Sequence, residues 1–364
     1  MTDCSWVSAA SHHGHSHPDP LLRGGALALL AAVAFGLTTP LIQRFGRGVG
    51  SVPTAALLYA GAALASLDSF ASPSAREAPV QKAHLTRLAV VALVGAVFAP
   101  ICLTWGLQHE SATSASLLLN FEAVFTVLLA WGFYREPIGG RVALALAAMV
   151  AGGALLVLGR GSALGGFGLG AGAVLLATLG WALDNTLARP LAELSPTQVV
   201  KWKGVLGAAF SAALALALRQ PFPKPLPLLA LLGCGATGYG LSLRLYLRAQ
   251  RAIGAARTGS IFAVAPFVGA GAAWLMGDRS AGAWAIAAAS LFGLGVYLHL
   301  TEAHRHRHMH EPMTHEHAHR HDDGHHDHVH EPPVTGEHSH PHQHDARTHE
   351  HAHAPDIHHR HGHE

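Results

Sequence analysis

Glu122 is the one carboxylate within the apolar run from Ala112 to Phe133. A charged side chain at the centre of a bilayer costs about 2.5–3.5 kcal/mol on insertion scales, so it must face a cavity or a partner. A carboxylate so placed relays a proton or cation, contacts a basic group of a substrate, or serves as a structural acid bonded to a neighbouring helix. Thr126, four residues on, shares its helical face. Asn120, about 200° away, is placed to hydrogen-bond one helix to another. A second acid, Asp184, sits beside Asn185 in the run from Leu169 to Ala188. Asp184 either belongs to a polar site or pairs with Arg189 or Arg244. Trp181, one turn before Asn185, is an aromatic wall or a packing residue. Arg244, near Tyr239 and Tyr246, either meets one of the two acids or extends to the interface with Arg248 and Arg251. Gln108, His109 and Glu110 read as an exposed loop.

The other chemistry is imidazole. Of 30 histidines, 23 fall between His304 and His363, many in His-x-His spacing and mixed with Asp and Glu. They begin with His304, His306, His308, His310, His315, His317, His319, His321, His325, His326, His328 and His330. A small cluster, His12, His13, His15 and His17, stands near the N-terminus. Imidazole with supporting carboxylates suits zinc, nickel, cobalt or copper. The composition predicts divalent-metal binding there and no packed core, so 301–364 is expected to be a disordered His-rich tail and 1–21 a disordered N-terminus. Between Arg23 and Leu300 the histidines are His84, His109 and His299, which gives the apolar body no ligand set of a dedicated metal carrier. It also has no phosphate-binding glycine motif and no nucleophile–base constellation, so no enzyme and no resident cofactor are expected. The net charge of +2 points to no nucleic-acid partner.

The elements that must position these residues are membrane helices. Half of the 364 residues are hydrophobic and only 13% are charged, against about a quarter in soluble proteins. Ten runs approach the 20 or so apolar residues that span a bilayer: 24–43, 52–71, 88–107, 112–133, 142–159, 169–188, 204–218, 227–247, 260–276 and 281–300. The seventh is the weakest by length. Lys and Arg are about twice as frequent in alternate loops, which predicts a cytoplasmic N-terminus and, with ten spans, a cytoplasmic tail. Thr38 and Thr39 in the first run align with Asp184 and Asn185 in the sixth, and Phe35 with Trp181. Two halves of five helices, 22–160 and 161–300, must insert with opposite orientation, and such inverted repeats bind their substrate between the halves. The fold class expected is an all-α integral membrane protein of two inverted five-helix repeats. Pro40, Pro100 and Pro266 fall inside spans, where each removes a backbone hydrogen bond.

In these features the chain resembles the drug/metabolite transporter superfamily, in its EamA-type branch, over roughly residues 22–300. The resemblance is carried by the ten spans in two halves and by Phe35-Gly36 and Trp181-Ala182. Ser111-Ala112-Thr113-Ser114-Ala115 and Arg135-Glu136-Pro137 carry it further. The family often has a Glu-Pro pair within its fourth helix; here Glu122 is followed by Ala123, and Ala265-Pro266 occupies the matching place in the ninth. Only Glu122 is therefore carried over. The resemblance implies a secondary transporter that exports small metabolites across a bacterial inner membrane by alternating access. Glu122 and Asp184 are the expected coupling or substrate residues, with Thr38, Thr39, Asn120, Trp181, Asn185 and Arg244 around them. Two alternatives stay open: a zinc, nickel or cobalt carrier fed by the tail, and a membrane-anchored metal sensor or store. The expected partners are the bilayer, a small solute and divalent metal ions. No oligomeric state follows from the sequence.

Overall fold

The computed structural model describes residues 20–67, 80–134, 138–158, 168–188, 191, 194–253, 255–279 and 282–301. In the tail it describes 305–310, 313–319, 338–344 and 347–352. The apolar runs form ten helices: α1 (Pro20–Gly46), α2 (Ser51–Leu64), α3 (Lys82–His109), α4 (Ala112–Phe133), α5 (Gly140–Leu158), α6 (Leu169–Ala188), α7 (Pro196–Ala217), α8 (Pro225–Gln250), α9 (Arg257–Leu275) and α10 (Gly282–Leu300). Among the described residues nine are long and apolar enough to cross a membrane; the tenth, α2, has 14 residues. Their ends follow local chemistry. Ser111 caps α4 by accepting a hydrogen bond from the Ser114 N–H at 3.1 Å. α7 and α8 open on Pro196 and Pro225, whose missing N–H would have no intrahelical partner there. Gly277 follows α9 at φ +99°, a conformation glycine adopts freely.

Two spans differ from the sequence expectation. α2 ends seven residues before the expected 71, and residues 68–79 lie outside those described. α7 begins at Pro196 rather than 204. Lys201 and Lys203 interrupt the hydropathy of this run, yet the helix passes through both, and Lys201 is buried. The seventh span is therefore a full 22 residues.

The halves interlock rather than lie side by side. α1 packs on α8 and α9, and the repeat-related α6 packs on α3 and α4. α2 packs on its counterpart α7, α4 on α9, and α5 on α10, while α1 and α6 each cross to the third and fourth helices of the other half. α2 and α8 touch backbone to backbone: a Cβ on Gly61 would run into the Leu232 carbonyl, and one on Gly235 into the Leu58 carbonyl. Gly235→Val is expected to destabilise the protein by about 1–3 kcal/mol or more. Loss of monodispersity on heating in detergent, at a temperature below that of the parent, would show it.

The four helices that meet at the centre are all irregular, in symmetric pairs. α3 contains a π-helical segment, Leu93–Phe98, and α8 another, Gly235–Leu241. The N–H of Ala99 reaches back five residues to Val94, and that of Ser242 five to Thr237. Pro100 follows the first segment and lacks the N–H that would continue a regular ladder. α4 is broken at Leu119–Asn120 and α9 at Ala263–Val264, each bridged by tighter bonds, such as Glu122 N–H to Leu119 and Val264 N–H to Ile261. Such interruptions are characteristic of functional places in helices.

In the tail, Arg305–His310 pairs antiparallel with Arg347–Ala352, and Met313–His319 with His338–His344. They carry almost no apolar residues, so they add no sheet layer to the helical body. His12, His13, His15 and His17 lie outside the described residues, as do His304, His321, His325, His326, His328 and His330.

Candidate functional site

The polar residues singled out from the sequence meet where the two halves cross. Glu122 opens the second part of α4, immediately after the break at Leu119–Asn120. There its carboxylate lies near the positive end of a helix dipole. Asn185 of α6 donates its Nδ2 to Glu122 Oε1 at 2.8 Å, joining the halves. Thr126 shares that face as expected, but its hydroxyl is committed to the Glu122 carbonyl at 2.8 Å. Asn120 is buried and donates to the Leu117 carbonyl at 2.9 Å, which holds the broken turn of its own helix.

Asp184 is buried, and its Oδ2 forms an ion pair with Lys203 Nζ of α7. Its Oδ1 has no hydrogen-bond partner among the described residues. Lys203 was assigned to a loop from the sequence and was missed as a site residue. The signal was available: Asp184 stands four residues before the end of α6 and Lys203 seven after the start of α7. Antiparallel neighbours joined by a short connection place such residues at similar depth. Of the two arginines suggested for Asp184, Arg189 lies outside the described residues. Arg244 donates Nη1 to the Ala65 carbonyl at 2.7 Å, tying α8 to the end of α2. A buried pair of opposite charges gains from Coulomb attraction what it loses in hydration only if geometry is good. The spare Oδ1 leaves Asp184 with unused accepting capacity.

The repeat symmetry of Thr38 and Asp184 reappears in space. Thr38 of α1 faces Gly238 in the π segment of α8, and Asp184 of α6 faces Gly95 in the π segment of α3. At each place a Cβ would collide with the opposing side chain. Thr38 is buried and donates to the Phe35 carbonyl at 2.6 Å; Thr39 is buried beside it.

Aromatic rings wall this centre. Phe35 lies edge-on to Trp181 (6.1 Å between ring centres) and Tyr239 (5.8 Å), with Phe262 at 5.7 Å. Tyr59 and Tyr239 are 5.5 Å apart. Tyr59 Oη and Trp181 Nε1 both donate to the Gly95 carbonyl, at 2.7 and 3.1 Å. The irregular ladder of α3 thus presents a carbonyl to two ring donors. Trp181 is both wall and packing residue, and its indole proton is satisfied. Phe35, Tyr59 and Phe262 were not singled out as site residues. A single aromatic among apolar residues gives no sign of which face it lies on.

A vestibule of about 1510 Å³ opens at the end of the bundle where α1 and α9 finish, lined among others by Pro40, Gln43, Arg44, Glu110, Asp278 and Arg279. Pro40 lies five residues beyond Phe35, about 7.5 Å along the helix axis. Gln108, His109 and Glu110 also line it, which corrects their reading as a plain exposed loop. Glu110 is buried, and its carbonyl accepts a bond from Gln43 at 2.7 Å. At the opposite end the helices stay in contact: Ser242 donates to the Ala31 carbonyl at 2.8 Å, and Gly24 abuts Ile253. Among the described residues no three His, Cys, Asp or Glu side chains are gathered as a metal ion would need.

Comparison with known proteins fits this architecture. The sequence pattern of the EamA-like transporter family matches residues 22–158 and again 168–301. An "Uncharacterized transporter" of Methanothermobacter thermautotrophicus (strain Delta H) is 27% identical over 205 residues, which is 53% of this chain. The chain spans 58% of the length of that relative. A crystal structure of a protein superposes with a TM-score of 0.54 at 18% identity, covering 78% of this chain and 96% of that one, a likeness of fold.

Proposed function

This chain belongs to the EamA-like transporter family, and from that premise we propose that it is a secondary carrier of a small organic solute, working by alternating access. One observation carries the reading. The π segment of α3 faces Asp184, that of α8 faces the repeat-related Thr38, and the break in α4 sets Glu122 against Asn185, in a bundle with a vestibule open at one end and close-packed helices at the other. Irregular backbone inside a membrane protein is tolerated where it lines a cavity or is covered by protein, and carriers place it at the substrate. Paired interruptions let each half bend at the same depth. With Glu122, Asp184 and Lys203 all ionised, the site holds one net negative charge between aromatic faces. A proton, or a solute bearing a basic nitrogen, neutralises it, and the rings favour a cation at their faces.

The loop arginines and lysines support an orientation with the start of α1 in the cytoplasm and the vestibule facing outward. The carrier would then sit in a cytoplasmic membrane with both termini inside and export as its direction. Flux in proteoliposomes tests the reading. The full chain and a version ending at Leu300 would be given pooled amino acids and other amines, beside zinc, nickel and cobalt, with and without a proton gradient. Organic-solute flux that survives truncation is the expected result. Metal flux that requires residues 301–364 would replace this reading with a metal carrier fed by its tail. Absence of flux in both forms would leave the helices as an anchor.

A further inference from the structure

α10 packs along α5 but meets α4 and α9 only sparsely. Between α4, α9 and α10 runs a crevice of about 560 Å³, within the range of ligand pockets, about 300–1,000 Å³. Small side chains on facing helices make the room: Ala270 of α9 and Ala285 and Ala289 of α10 line it, with Leu117 of α4. Leu117, Ala270 and Ala285 are buried, whereas Trp274 and Ile286 at the rim are 53% and 73% exposed. The crevice therefore opens on the flank of the bundle, where the bilayer lies, and none of Glu122, Asp184 and Lys203 lines it. On α10 it extends from Gly282 to Ser290, about 12 Å of helix axis. A leaflet is half of a hydrocarbon core of about 30 Å, so the crevice reaches through most of one leaflet and no further. The exposed Trp274 and Trp284 stand toward its vestibule end, as such rings do at a membrane–water interface.

That end is polar. Asp278 and Arg279 line both the crevice and the vestibule. Asp278 Oδ2 accepts the Thr113 N–H at 2.9 Å, so its charge is engaged at the start of α4. The Arg279 guanidinium lies over the Trp274 ring, 3.8 Å from its centre, and donates to the Trp274 carbonyl. A guanidinium carries five N–H donors, so this bond leaves capacity for an anionic acceptor. Thr113 lines the crevice at the same end and is 6% exposed, and its Oγ1 has no hydrogen-bond partner among the described residues. A buried hydroxyl left without a partner is destabilising. We infer that the crevice is a phospholipid site in the leaflet on the vestibule side. One acyl chain lies along the alanines between α4, α9 and α10, Thr113 Oγ1 donates to an ester carbonyl, and Arg279 meets the phosphate. Apolar floor, buried donor and cation follow one another outward in the order of chain, ester and phosphate in the lipid. A soluble anion would use Arg279 alone, and a second copy of this chain would need neither the donor nor the cation. The site stands independently of the transport reading.

Native mass spectrometry of the full-length protein in detergent, titrated with dioleoylphosphatidylglycerol, tests the site. Ala289→Phe fills the crevice, while Ala287→Phe adds the same ring at an exposed position of α10 outside it. Thr113→Val keeps the shape of the side chain and removes only the hydroxyl. The parent and Ala287→Phe should each retain one tightly held lipid. Ala289→Phe should bind it about tenfold or more weakly, and Thr113→Val about threefold or more, as befits one lost hydrogen bond. Should the bulky variant fail to fold, Thr113→Val decides alone. Equal lipid affinity in the parent, Ala289→Phe and Thr113→Val would overturn the proposal. So would an equal loss in Ala287→Phe, which would mark a general effect on the lipid-facing surface. A parent dimer that Ala289→Phe converts to monomer with lipid retention unchanged would also overturn it and make a second copy the occupant.

Discussion

Glu122→Gln should leave a folded protein that has lost its gradient-driven flux. Glutamine is close to isosteric, and its carbonyl oxygen still accepts the Asn185 bond now seen at 2.8 Å. What disappears is the charge and the ability to take up and release a proton. A hydrogen bond to a charged group contributes about 1.5–3 kcal/mol, so losing the charge is expected to cost roughly tenfold or more in rate or affinity. The pattern of loss matters as much as its size. If Glu122 carries the coupling proton, the variant keeps solute exchange across a membrane without a gradient and loses only accumulation against one. If Glu122 instead meets a basic nitrogen of the solute, exchange and net flux fall together. Counterflow and gradient-driven uptake, measured on the same vesicles, separate the two. Unchanged accumulation would remove Glu122 from the mechanism. Asn185→Leu gives a smaller version of the test, because it takes away the hydrogen bond without touching the carboxylate.

The ion pair of Asp184 and Lys203 should show the second large effect, first on stability and then on turnover. Asp184 is buried and Lys203 is 12% exposed, so either single neutralisation, Lys203→Met or Asp184→Asn, leaves a poorly hydrated charge without its partner; breaking a buried pair costs about 3–5 kcal/mol. Replacing both together removes the problem rather than doubling it. Pairs of this kind can be exchanged for uncharged residues with little or no loss of stability. A double-mutant cycle of thermal unfolding in detergent should therefore show strong coupling, with the double variant close to the parent. The flux of that double variant then decides what the pair is for. A stable but inactive protein is expected, because the spare Oδ1 of Asp184 and its place opposite the π segment put it in the moving part of the site. A stable and fully active double variant would make the pair a structural contact. Additive losses of stability would contradict the geometry of the pair itself.

Much of the architecture was legible before any coordinates. Apolar runs separated by Gly, Pro and basic clusters specify membrane helices because every backbone polar group in lipid must be bonded within its own segment. An odd number of helices in each repeat then forces the inverted arrangement. The alignment of Thr38 with Asp184 predicted their symmetric placement, and it is found. Periodicity and hydropathy describe each helix alone, and they fail where a neighbour decides. Lys203 looked like the edge of a loop because its cost is met by Asp184 on another helix, which no reading of the run around it contains. Pro100 marks a weak point after Leu93–Phe98, but nothing in the runs themselves specifies the π segments there and at Gly235–Leu241 or the break before Glu122. In α3 the neighbouring helices bond the freed carbonyl, as Tyr59 and Trp181 do for Gly95. The sequence by itself determined the spans, the repeat and the acids at its centre; the tertiary structure decided their partners, because partnership is fixed by packing between segments and not by the chemistry of either one.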